Sequence, residues 1–415
     1  MAQLQETKSN QIFIYLAALN FWEGLFETVN IRLVTNIFQF KFIETSQILM
    51  TIILPRRMDE EKRVQLKQRE EQLIRIATQY GKQIEFLHIR SRTLSELRRV
   101  SRKIIEKTAS YDHRIIWGAN YYNCFLGVLI QRKLKNSFLH FELHGLVPEE
   151  ELWYSETSNG IGLFKFIVLR LICRINLKHS HSVSVVSKRF REYMVSKYHL
   201  KRESIDVISC FFNDKIFFPD AQLRTSFRQK YNIQRHQKVL LYCGNLQRWQ
   251  EPKLLFSFFR KLQDMDKDHI FPIMIITLDI KKAHEFADKF GLRDVIIDSA
   301  HVSELNGVYN AGDIGIATRT NDWVSRVSSP VKIPEYLATQ NSVIILESMG
   351  DFGLDLQDKP FAMVKKDKQD LLATTLEEID QLTQPTSDEM KDISDQYGPH
   401  RILPVIKSIF GRAVQ

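Results

Sequence analysis

Cysteine, glycine and long apolar runs are all scarce in this sequence. Its 415 residues include four cysteines and 16 glycines. No two cysteines have C-x-x-C spacing, and no histidine–cysteine cluster has the spacing of a zinc site. We therefore expect reduced, buried thiols, as in a cytosolic protein. The four cysteines are Cys124, Cys173, Cys210 and Cys243.

No segment is long and apolar enough to predict a membrane span. The longest uncharged apolar run near the N-terminus is 12–22, interrupted only by Asn20, whereas a helix that crosses a bilayer needs about 20 residues. No small-x-small cleavage site follows this run, so a signal peptide is not indicated. We expect residues 12–17 to form a buried first strand.

Several signature motifs are also absent. The sequence has no Gly-x-Ser-x-Gly and no Gly-x4-Gly-Lys-Ser/Thr pattern, so hydrolase and P-loop functions lack support. It has neither an RNA-binding signature nor C2H2 zinc-finger spacing, and nucleic acid is not an expected partner. The formal net charge of +9 still indicates an anionic partner. Phosphorylated substrates and an anionic membrane surface are the remaining candidates.

What the sequence does contain is an alternation of strand-like apolar runs with long helical stretches. Strands interleaved with helices indicate βαβ units and a parallel sheet. The predicted strands are 12–17, 49–54, 83–89, 115–117, 138–143, 182–186, 205–208, 239–242, 270–277, 295–297, 314–317 and 342–346.

The strand–helix pattern occurs twice, which predicts two Rossmann-like domains. Residues 1–217 form the first, 218–237 a polar linker containing Pro219-Asp220, and 238–399 the second. A last helix within 400–415 is expected to pack back on the first domain. Ligands of open parallel sheets bind at the carboxyl ends of strands, so the informative loops follow Leu143, Tyr242, Thr277 and Ala317.

The most informative stretch is 315–338. A predicted strand ends at Ala317 and is followed by Arg319. Ser329 is predicted to cap a helix whose first residue is Pro330. The N-terminus of such a helix suits a diphosphate. An ordinary capped helix with solvated side chains is the alternative interpretation.

Residues 328–338, Ser-Ser-Pro-Val-Lys-Ile-Pro-Glu-Tyr-Leu-Ala, resemble the Ser-Pro-x-Lys-x-x-Glu-Tyr-Leu-Ala motif of family 4 glycosyltransferases. These are retaining enzymes of the GT-B fold, with two Rossmann-like domains whose parallel sheets face a cleft. The likeness is greatest to members that build capsules and exopolysaccharides. It implies that Lys332 and Arg319 contact the donor diphosphate and that Glu335 binds the ribose. Ser328, Ser329 and Pro330 belong to the same donor-binding loop.

Two further segments of the C-terminal half are similar to this family. Residues 241–250 resemble its strand–Gly–x–Leu–x–Lys/Arg–Trp–Gln segment. There Gly244 lets the backbone approach a phosphate, Asn245 follows, and Arg248 is a second contact to the diphosphate. A simple tight turn is the alternative for Gly244. The stretch that starts at Val302 resembles the one before the donor loop, which makes Val302 a candidate for the nucleotide-base site.

In the N-terminal half, residues 141–151 resemble the Asp-x-(His/Arg)-Gly-x-x-Pro-Glu-Glu segment of the family. His144 would then reach a sugar hydroxyl, although a structural histidine is the alternative. Glu149 and Glu150 are acceptor-side candidates. Gly24, in the first strand-to-helix turn, is another.

The sequence departs from the family in the first strand-to-helix turn, 20–26, which has less glycine than usual, and at two places in the C-terminal half. Val327 occupies the position of the first of two paired glutamates, and Gln340-Asn341 replaces a usual glycine. These departures keep open a non-catalytic GT-B subunit that binds a nucleotide sugar or partners an active transferase. A GT-B epimerase is a weaker alternative, because it requires carboxylates on both sides of the sugar.

The resemblance implies retaining transfer of a hexose from a nucleotide-diphosphate sugar to a glycan or lipid-linked acceptor. Arg248, Arg319 and Lys332 supply positive charge for the leaving diphosphate, with no cofactor. Asp264 and Asp266 match the Asp-x-Asp of metal-dependent GT-A transferases. They follow a helical segment rather than a buried strand, so we expect a solvated loop there and no metal.

The segment 162–178 is both apolar and basic. Arg170, Arg174 and Lys178 recur at a spacing of four residues and form one stripe of a predicted helix. Such a helix can lie on an anionic membrane surface, which predicts a cytoplasmic protein that is peripheral on the inner membrane face. A core helix with one solvated edge is the equal alternative.

Overall fold

The structure is a computed structural model that describes residues 10–17, 45–55, 57–154 and 159–414. The chain divides into two compact units. The first comprises 1–185, 194–208 and 403–415, and the second comprises 186–193 and 209–402. The chain therefore passes between the units more than once, and residues 186–193, which the sequence assigned to the first domain, belong to the second unit.

The first unit has a seven-stranded sheet within its described residues. The strand order is β3-β2-β1-β4-β5-β6-β7, and every neighbouring pair is parallel. Central strands of such sheets are covered on both faces, which is why they are continuous apolar runs. The strands are β1 (Gln11–Leu16), β2 (Gln47–Ile53), β3 (Gln83–Ile89), β4 (His113–Ala119), β5 (Ser137–Leu143), β6 (Ser182–Val185) and β7 (Ile205–Val207).

Helices follow the strands from β2 onward, and in two of them a side chain at the N-terminus satisfies a free backbone donor. Asp59 accepts a hydrogen bond from the backbone N–H of Lys62, and Thr93 accepts one from that of Glu96. The helices are α1 (Glu60–Gln79), α2 (Leu94–Thr108), α3 (Tyr121–Gln131), α4 (Val147–Trp153), α5 (Asn159–His179) and α6 (Lys188–Tyr198). None of the helices that the structure describes is both long and apolar enough to cross a membrane.

The C-terminal segment completes the core of the first unit. Phe410 lies edge-on to Phe13, with ring centroids 5.7 Å apart, and stacks on Trp117 at 5.6 Å. Arg412 forms an ion pair with Asp206. The last helix thus packs on strands β1 and β4 of the first unit.

The second unit has a six-stranded parallel sheet within its described residues. Its order, β10-β9-β8-β11-β12-β13, is that of a Rossmann fold, in which the chain order reverses between the first and fourth strands. That reversal lies between β8 and β11. The strands are β8 (Leu240–Cys243), β9 (Ile273–Ile276), β10 (Ile296–Asp298), β11 (Ile314–Ile316), β12 (Ser342–Leu346) and β13 (Ala362–Lys365).

The helices of the second unit cover this sheet. Within the residues that the structure describes, short 3-10 turns also occur at Arg202–Ser204 in the first unit and at Arg248–Gln250 and Val302–Glu304 in the second. The remaining helices are α7 (Ala221–Lys230), α8 (Pro252–Met265), α9 (Ile280–Phe290), α10 (Leu305–Ala311), α11 (Trp323–Arg326), α12 (Lys332–Ala338), α13 (Phe352–Asp355), α14 (Lys368–Ala373), α15 (Leu376–Asp380), α16 (Ser387–Tyr397) and α17 (Pro399–Val414).

The predicted linker 218–237 is instead part of the second unit, because it contains helix α7. Asp220 caps this helix by accepting from the backbone N–H groups of Gln222 and Leu223. Arg228 is buried and lies 3.0 Å from Asp313. The polar composition that suggested a linker belongs to a helix whose arginine binds inward to a buried aspartate.

Candidate functional site

The candidate site lies where β8 and β11 end, at the point where the strand order of the second sheet reverses. Two hydrogen bonds join the loops that leave these neighbouring strands. Thr318 Oγ1 donates to the carbonyl of Gln250 at 2.6 Å, and the Thr320 N–H donates to the carbonyl of Trp249 at 3.1 Å. These bonds fix the two loops side by side, at the edge where open parallel sheets bind ligands.

Gly244 and Lys332 are in direct contact at this edge. Gly244 has φ +145°, a conformation that other residues rarely adopt. A Cβ atom built on it would lie 2.7 Å from Lys332 Nζ. The same ammonium lies 4.2 Å from the ring centroid of Tyr242, within the range of a cation–π contact. The positive φ favours glycine here, and any larger residue would displace the lysine ammonium from this place.

The Lys332 ammonium is buried and has no hydrogen-bond partner among the described residues. The pKa of Lys332 is lowered to about 7, chiefly by burial and in part by the positive charge of Arg319, although Cys243 and Glu335 act to raise it. A buried cation without an acceptor is costly, and an anionic ligand would supply the missing acceptor. The arrangement is suited to binding an anion.

Glu335 lies one helical turn after Lys332 and is held in place by a tyrosine. It is buried, and its Oε2 accepts a hydrogen bond of 3.0 Å from Tyr309 Oη. The ring of Tyr309 packs at 5.0 Å from that of Tyr336, and the Tyr336 hydroxyl accepts from the backbone N–H of Cys243 at 2.8 Å. These contacts couple the carboxylate to the end of β8. Sequence reasoning did not identify Tyr309 or Tyr336 as part of the site.

Arg319 is the second cation of this group. It is half-buried at the end of β11, and its charge acts on both Tyr242 and Lys332. Two cations and a carboxylate, from the loop after β11 and from helix α12, are thus gathered beside Gly244. Together they resemble a site for an anion with a neighbouring hydroxyl donor.

The other predicted donor residues lie at the same edge, and of these Asn245 is joined to the group through Tyr242. Arg248 is exposed in its 3-10 turn, and Asn245 is exposed with its carbonyl accepting from Tyr242 Oη at 2.6 Å. Val302 begins the 3-10 turn that follows β10. Their roles toward a donor remain predictions.

The predicted helix start at Ser329 and Pro330 is wrong. The structure begins α12 at Lys332, with Val331 at the N-cap and no side-chain cap. Ser329 Oγ instead accepts a hydrogen bond of 3.0 Å from the backbone N–H of Cys210, and Ser328 Oγ donates to the carbonyl of Ser325 at 2.7 Å. A seven-residue helix contributes little dipole, so the positive potential comes from side chains.

The loop before α12 is firmly braced. Ser187 Oγ donates to the carbonyl of Val327 at 2.7 Å, and a Cβ on Gly350, which has φ +53°, would collide with the carbonyl oxygen of Ser328 at 1.8 Å. Val327 is fully buried. The position at which the family carries a glutamate is therefore filled by a packed apolar side chain.

In the first unit, His144 is paired with Glu142 at the carboxyl end of β5. His144 Nε2 lies 3.0 Å from Glu142 Oε2, and Trp117 Nε1 donates to the same oxygen at 2.8 Å. Burial favours the neutral form of each group, but their mutual attraction prevails, lowering the pKa of Glu142 and raising that of His144. The pair therefore favours a protonated His144. Glu142, which stands at the aspartate position of the same motif, was not among the predicted site residues.

The acceptor-side candidates have different environments. Glu149 is buried and forms an ion pair with Arg170, so its carboxylate is engaged within the protein. Glu150 is half-buried, and its Oε1 lies 2.9 Å from the point where a Cβ on Gly145 would be. Gly24 lies outside the described residues. Because Arg170 is paired, the predicted basic stripe loses its first member.

The Asp-x-Asp pair forms a structural turn. Asp266 is buried and accepts hydrogen bonds from the backbone N–H groups of Ile270 at 2.9 Å and Phe271 at 2.8 Å, while Asp264 pairs with Arg260. The expectation of a solvated loop is thus wrong for Asp266. Across the described ranges, no three His, Cys, Asp or Glu side chains are grouped as metal ligands.

Comparison with known proteins shows which fold this chain shares. No protein-family profile and no curated protein sequence matches the chain. Among solved structures, a glycosyltransferase from Rickettsia africae shares 14% identity with a TM-score of 0.70, over 98% of this chain and 99% of that one.

Two other solved structures are similar over nearly their whole length. Anabaena HepE, solved with UDP and glucose, shares 14% identity with a TM-score of 0.69, over 97% of this chain and 99% of that one. WaaG, a glycosyltransferase involved in lipopolysaccharide biosynthesis, shares 10% identity with a TM-score of 0.64, over 96% of this chain and 99% of that one. The chain therefore has the GT-B fold, with two Rossmann-like units built on parallel sheets.

Proposed function

We propose that this protein is a glycosyltransferase that uses a nucleoside-diphosphate sugar as its donor. The observation that carries the proposal is the buried Lys332 ammonium, which has no hydrogen-bond partner among the described residues and lies against Gly244. Structurally similar proteins bind such donors, since HepE was solved with UDP-glucose. A diphosphate offers the oxygens that this ammonium lacks.

The donor is placed by its diphosphate and its ribose. Lys332 and Arg319 bind the diphosphate beside the bare backbone of Gly244, and exposed Arg248 adds a third cation. Glu335, fixed by Tyr309, keeps a carboxylate oxygen directed at the ribose hydroxyls. The turn beginning at Val302 lies against the base.

The reaction we propose is transfer of a hexose with retention. The bond between the anomeric carbon and the diphosphate breaks, and a bond from that carbon to an acceptor oxygen forms. The departing phosphate takes the proton of the acceptor hydroxyl. Negative charge grows on the diphosphate during this step, and Lys332, Arg319 and Arg248 stabilise it without a metal.

The acceptor we propose is a glycan or a lipid-linked glycan, bound by the first unit. His144, protonated beside Glu142, can donate a hydrogen bond to a sugar hydroxyl, and half-buried Glu150 can accept one. WaaG is involved in lipopolysaccharide biosynthesis, and we propose a comparable polysaccharide-building role in the cytoplasm.

A donor screen tests the proposal. Purified protein, treated with EDTA, is incubated with UDP-, GDP-, dTDP- and ADP-hexoses, and release of nucleoside diphosphate is measured with and without glycan acceptors. We expect one nucleotide class to be bound and turned over at an unchanged rate after EDTA. Activity that is lost with EDTA and restored by manganese or magnesium would contradict metal independence. Binding without turnover would favour the non-catalytic subunit.

Donor binding should also be linked to protonation of Lys332. Its pKa is about 7 in the free protein, below the usual lysine value, because of burial. A bound diphosphate favours the ammonium and raises this pKa, so binding takes up a proton wherever the free lysine is mostly neutral. At pH 8 the uptake should approach about 0.9 proton per nucleotide. Affinity should fall as pH rises from 7 to 9.

Calorimetry in buffers of different ionisation enthalpy measures this uptake. The nucleotide contributes none at pH 8, because the last phosphate pKa is about 6. In Lys332→Met the linked proton should disappear, whereas Lys289→Met, a change at an exposed lysine of α9, should keep it. Equal uptake by Lys332→Met and the parent would assign the proton to another group.

A further inference from the structure

Helix α5 exposes a row of large apolar side chains to solvent. Phe164, Ile167 and Leu171 have exposed fractions of 68%, 56% and 59%. Because they are spaced by three and four residues, they lie on one face of the helix. Three neighbouring apolar side chains with this exposure form a patch, which in soluble proteins marks an interaction site more often than scattered residues do.

The opposite face of α5 is the one that packs into the first unit. Leu169, Ile172 and Cys173 are buried, and Asn176 donates a hydrogen bond to the carbonyl of Tyr121 at 2.8 Å. The helix is therefore anchored by one side. The apolar row is additional to the core, so a core helix with an ordinary solvated edge does not explain it.

Basic side chains continue the same face toward the C-terminus of the helix. Arg174 and Lys178 are exposed, and no carboxylate of the described residues lies within ion-pair distance of either. Arg132, exposed at the end of α3, places a third positive charge beside the C-terminus of α5, because its Nη2 lies 3.0 Å from Nε2 of His179, the last residue of that helix. No aspartate or glutamate occurs anywhere in α5.

Two other basic residues of α5 form ion pairs within the protein. Lys165 lies 2.9 Å from Glu151, and Arg170 pairs with buried Glu149 while lying 4.8 Å from the ring centroid of Phe166. The charge available to a partner is thus concentrated at Arg174 and Lys178. We name the surface formed by Phe164, Ile167, Leu171, Arg174 and Lys178 the apolar–basic face.

We propose that the apolar–basic face docks onto an anionic lipid bilayer. Its apolar half enters the boundary between headgroups and acyl chains, and its basic half lies over anionic headgroups. The charge argument favours a lipid surface, because the free cations sit beside the apolar row and no acid of the helix opposes them. The inference stands apart from donor chemistry, although a lipid-linked acceptor would reside on the same surface.

Vesicle co-sedimentation of the full chain tests the proposal. The protein is mixed with phosphatidylcholine vesicles that contain either no phosphatidylglycerol or about one third of it. The parent should pellet with the anionic vesicles and be released by salt, because a Debye length of about 8 Å at physiological ionic strength limits the attraction. It should bind neutral vesicles much less.

Two variants separate the apolar and basic contributions. Phe164→Ser with Ile167→Ser and Leu171→Ser should lower the partition constant at least tenfold. Arg174→Gln with Lys178→Gln should lower it about fivefold for each lost charge, because one charge near an anionic surface contributes about 1 kcal/mol. All five positions are exposed, so the fold should be retained, and circular dichroism melting curves verify this.

The first unit offers matched controls. Val64, Ile74 and Leu94 are apolar and 44–49% exposed on other helices, and serine at all three should leave vesicle binding unchanged. Arg102→Gln with Lys103→Gln removes the same charge from exposed positions of α2. This pair should lower binding by less than twofold.

Three results would overturn the proposal. One is a triple serine variant that pellets as the parent does. Another is equal binding to neutral and anionic vesicles. The third is that neither the parent nor the triple variant binds vesicles, while light scattering finds a dimeric parent and a monomeric variant. That result would assign the face to a second copy of the chain. Nucleotide binding, measured without lipid, is expected to be the same in all variants, so failure here is distinct from failure of the proposed transferase function.

Discussion

Replacing Lys332 with alanine is expected to weaken nucleoside-diphosphate binding at least tenfold at pH 7 while the protein stays folded. The ammonium is buried against Gly244 and Tyr242 and has no acceptor among the described residues, so its contact with a diphosphate would be charge-assisted. Such a hydrogen bond contributes about 1.5–3 kcal/mol, which corresponds to a tenfold effect or more. Turnover should fall further, because the charge on the leaving group increases during the reaction.

Isothermal titration with the nucleotide identified in the donor screen measures the effect. The control is Lys289→Ala, which removes an exposed lysine from another helix of the same unit. The Lys332→Ala variant should not be less stable than the parent, since removing an unpaired buried charge relieves a desolvation cost. Unchanged affinity in Lys332→Ala would place the diphosphate elsewhere.

Most of the fold could be predicted because apolar periodicity is a local property. Each of the twelve predicted strands lies in one of the two sheets, with ends that differ by a few residues. The strand that was missed, β13, is at the edge of its sheet, where it pairs only with β12 and three of its four residues are half-buried. Such a strand has no strong apolar run and therefore no clear sequence signal.

The wrong predictions for Ser329 and for residues 218–237 have a common cause. In each, a polar side chain binds a partner that is distant in sequence. Ser329 resembles a helix cap, but its hydroxyl binds the backbone of Cys210, 119 positions away in sequence. Residues 218–237 resemble a linker, but Arg228 is drawn inward by Asp313. Local rules describe what a residue does when no tertiary partner competes for it.

The site itself illustrates the same limit. The family resemblance indicated Gly244, Lys332 and Glu335 separately, each as part of a motif. It did not indicate that the glycine leaves room for the lysine, or that Tyr309 holds the glutamate. Those relations join segments that are far apart in sequence, and only the folded chain brings them together.

Replacing Gly244 with alanine should lower nucleotide affinity at least tenfold, and the loss should depend on Lys332. The new Cβ would lie 2.7 Å from Lys332 Nζ, so the ammonium must move from its place over Tyr242. The backbone at φ +145° adds strain of about 1–3 kcal/mol, which should appear as a lower melting temperature. In a Lys332→Ala background the collision no longer exists. There the added Gly244→Ala change should cost little further affinity.

A double-mutant cycle on nucleotide binding measures this dependence. Gly291→Ala is the matched control, because that glycine also has a positive φ, +66°, but the nearest atom to its Cβ position is 3.8 Å away. It should lose stability and keep full affinity. If the losses from Gly244→Ala and Lys332→Ala are instead additive, then the glycine acts by letting the ligand approach its backbone. If Gly244→Ala binds as the parent does, the position of the ammonium against Gly244 does not matter for binding, and the proposed dependence of the two residues is wrong.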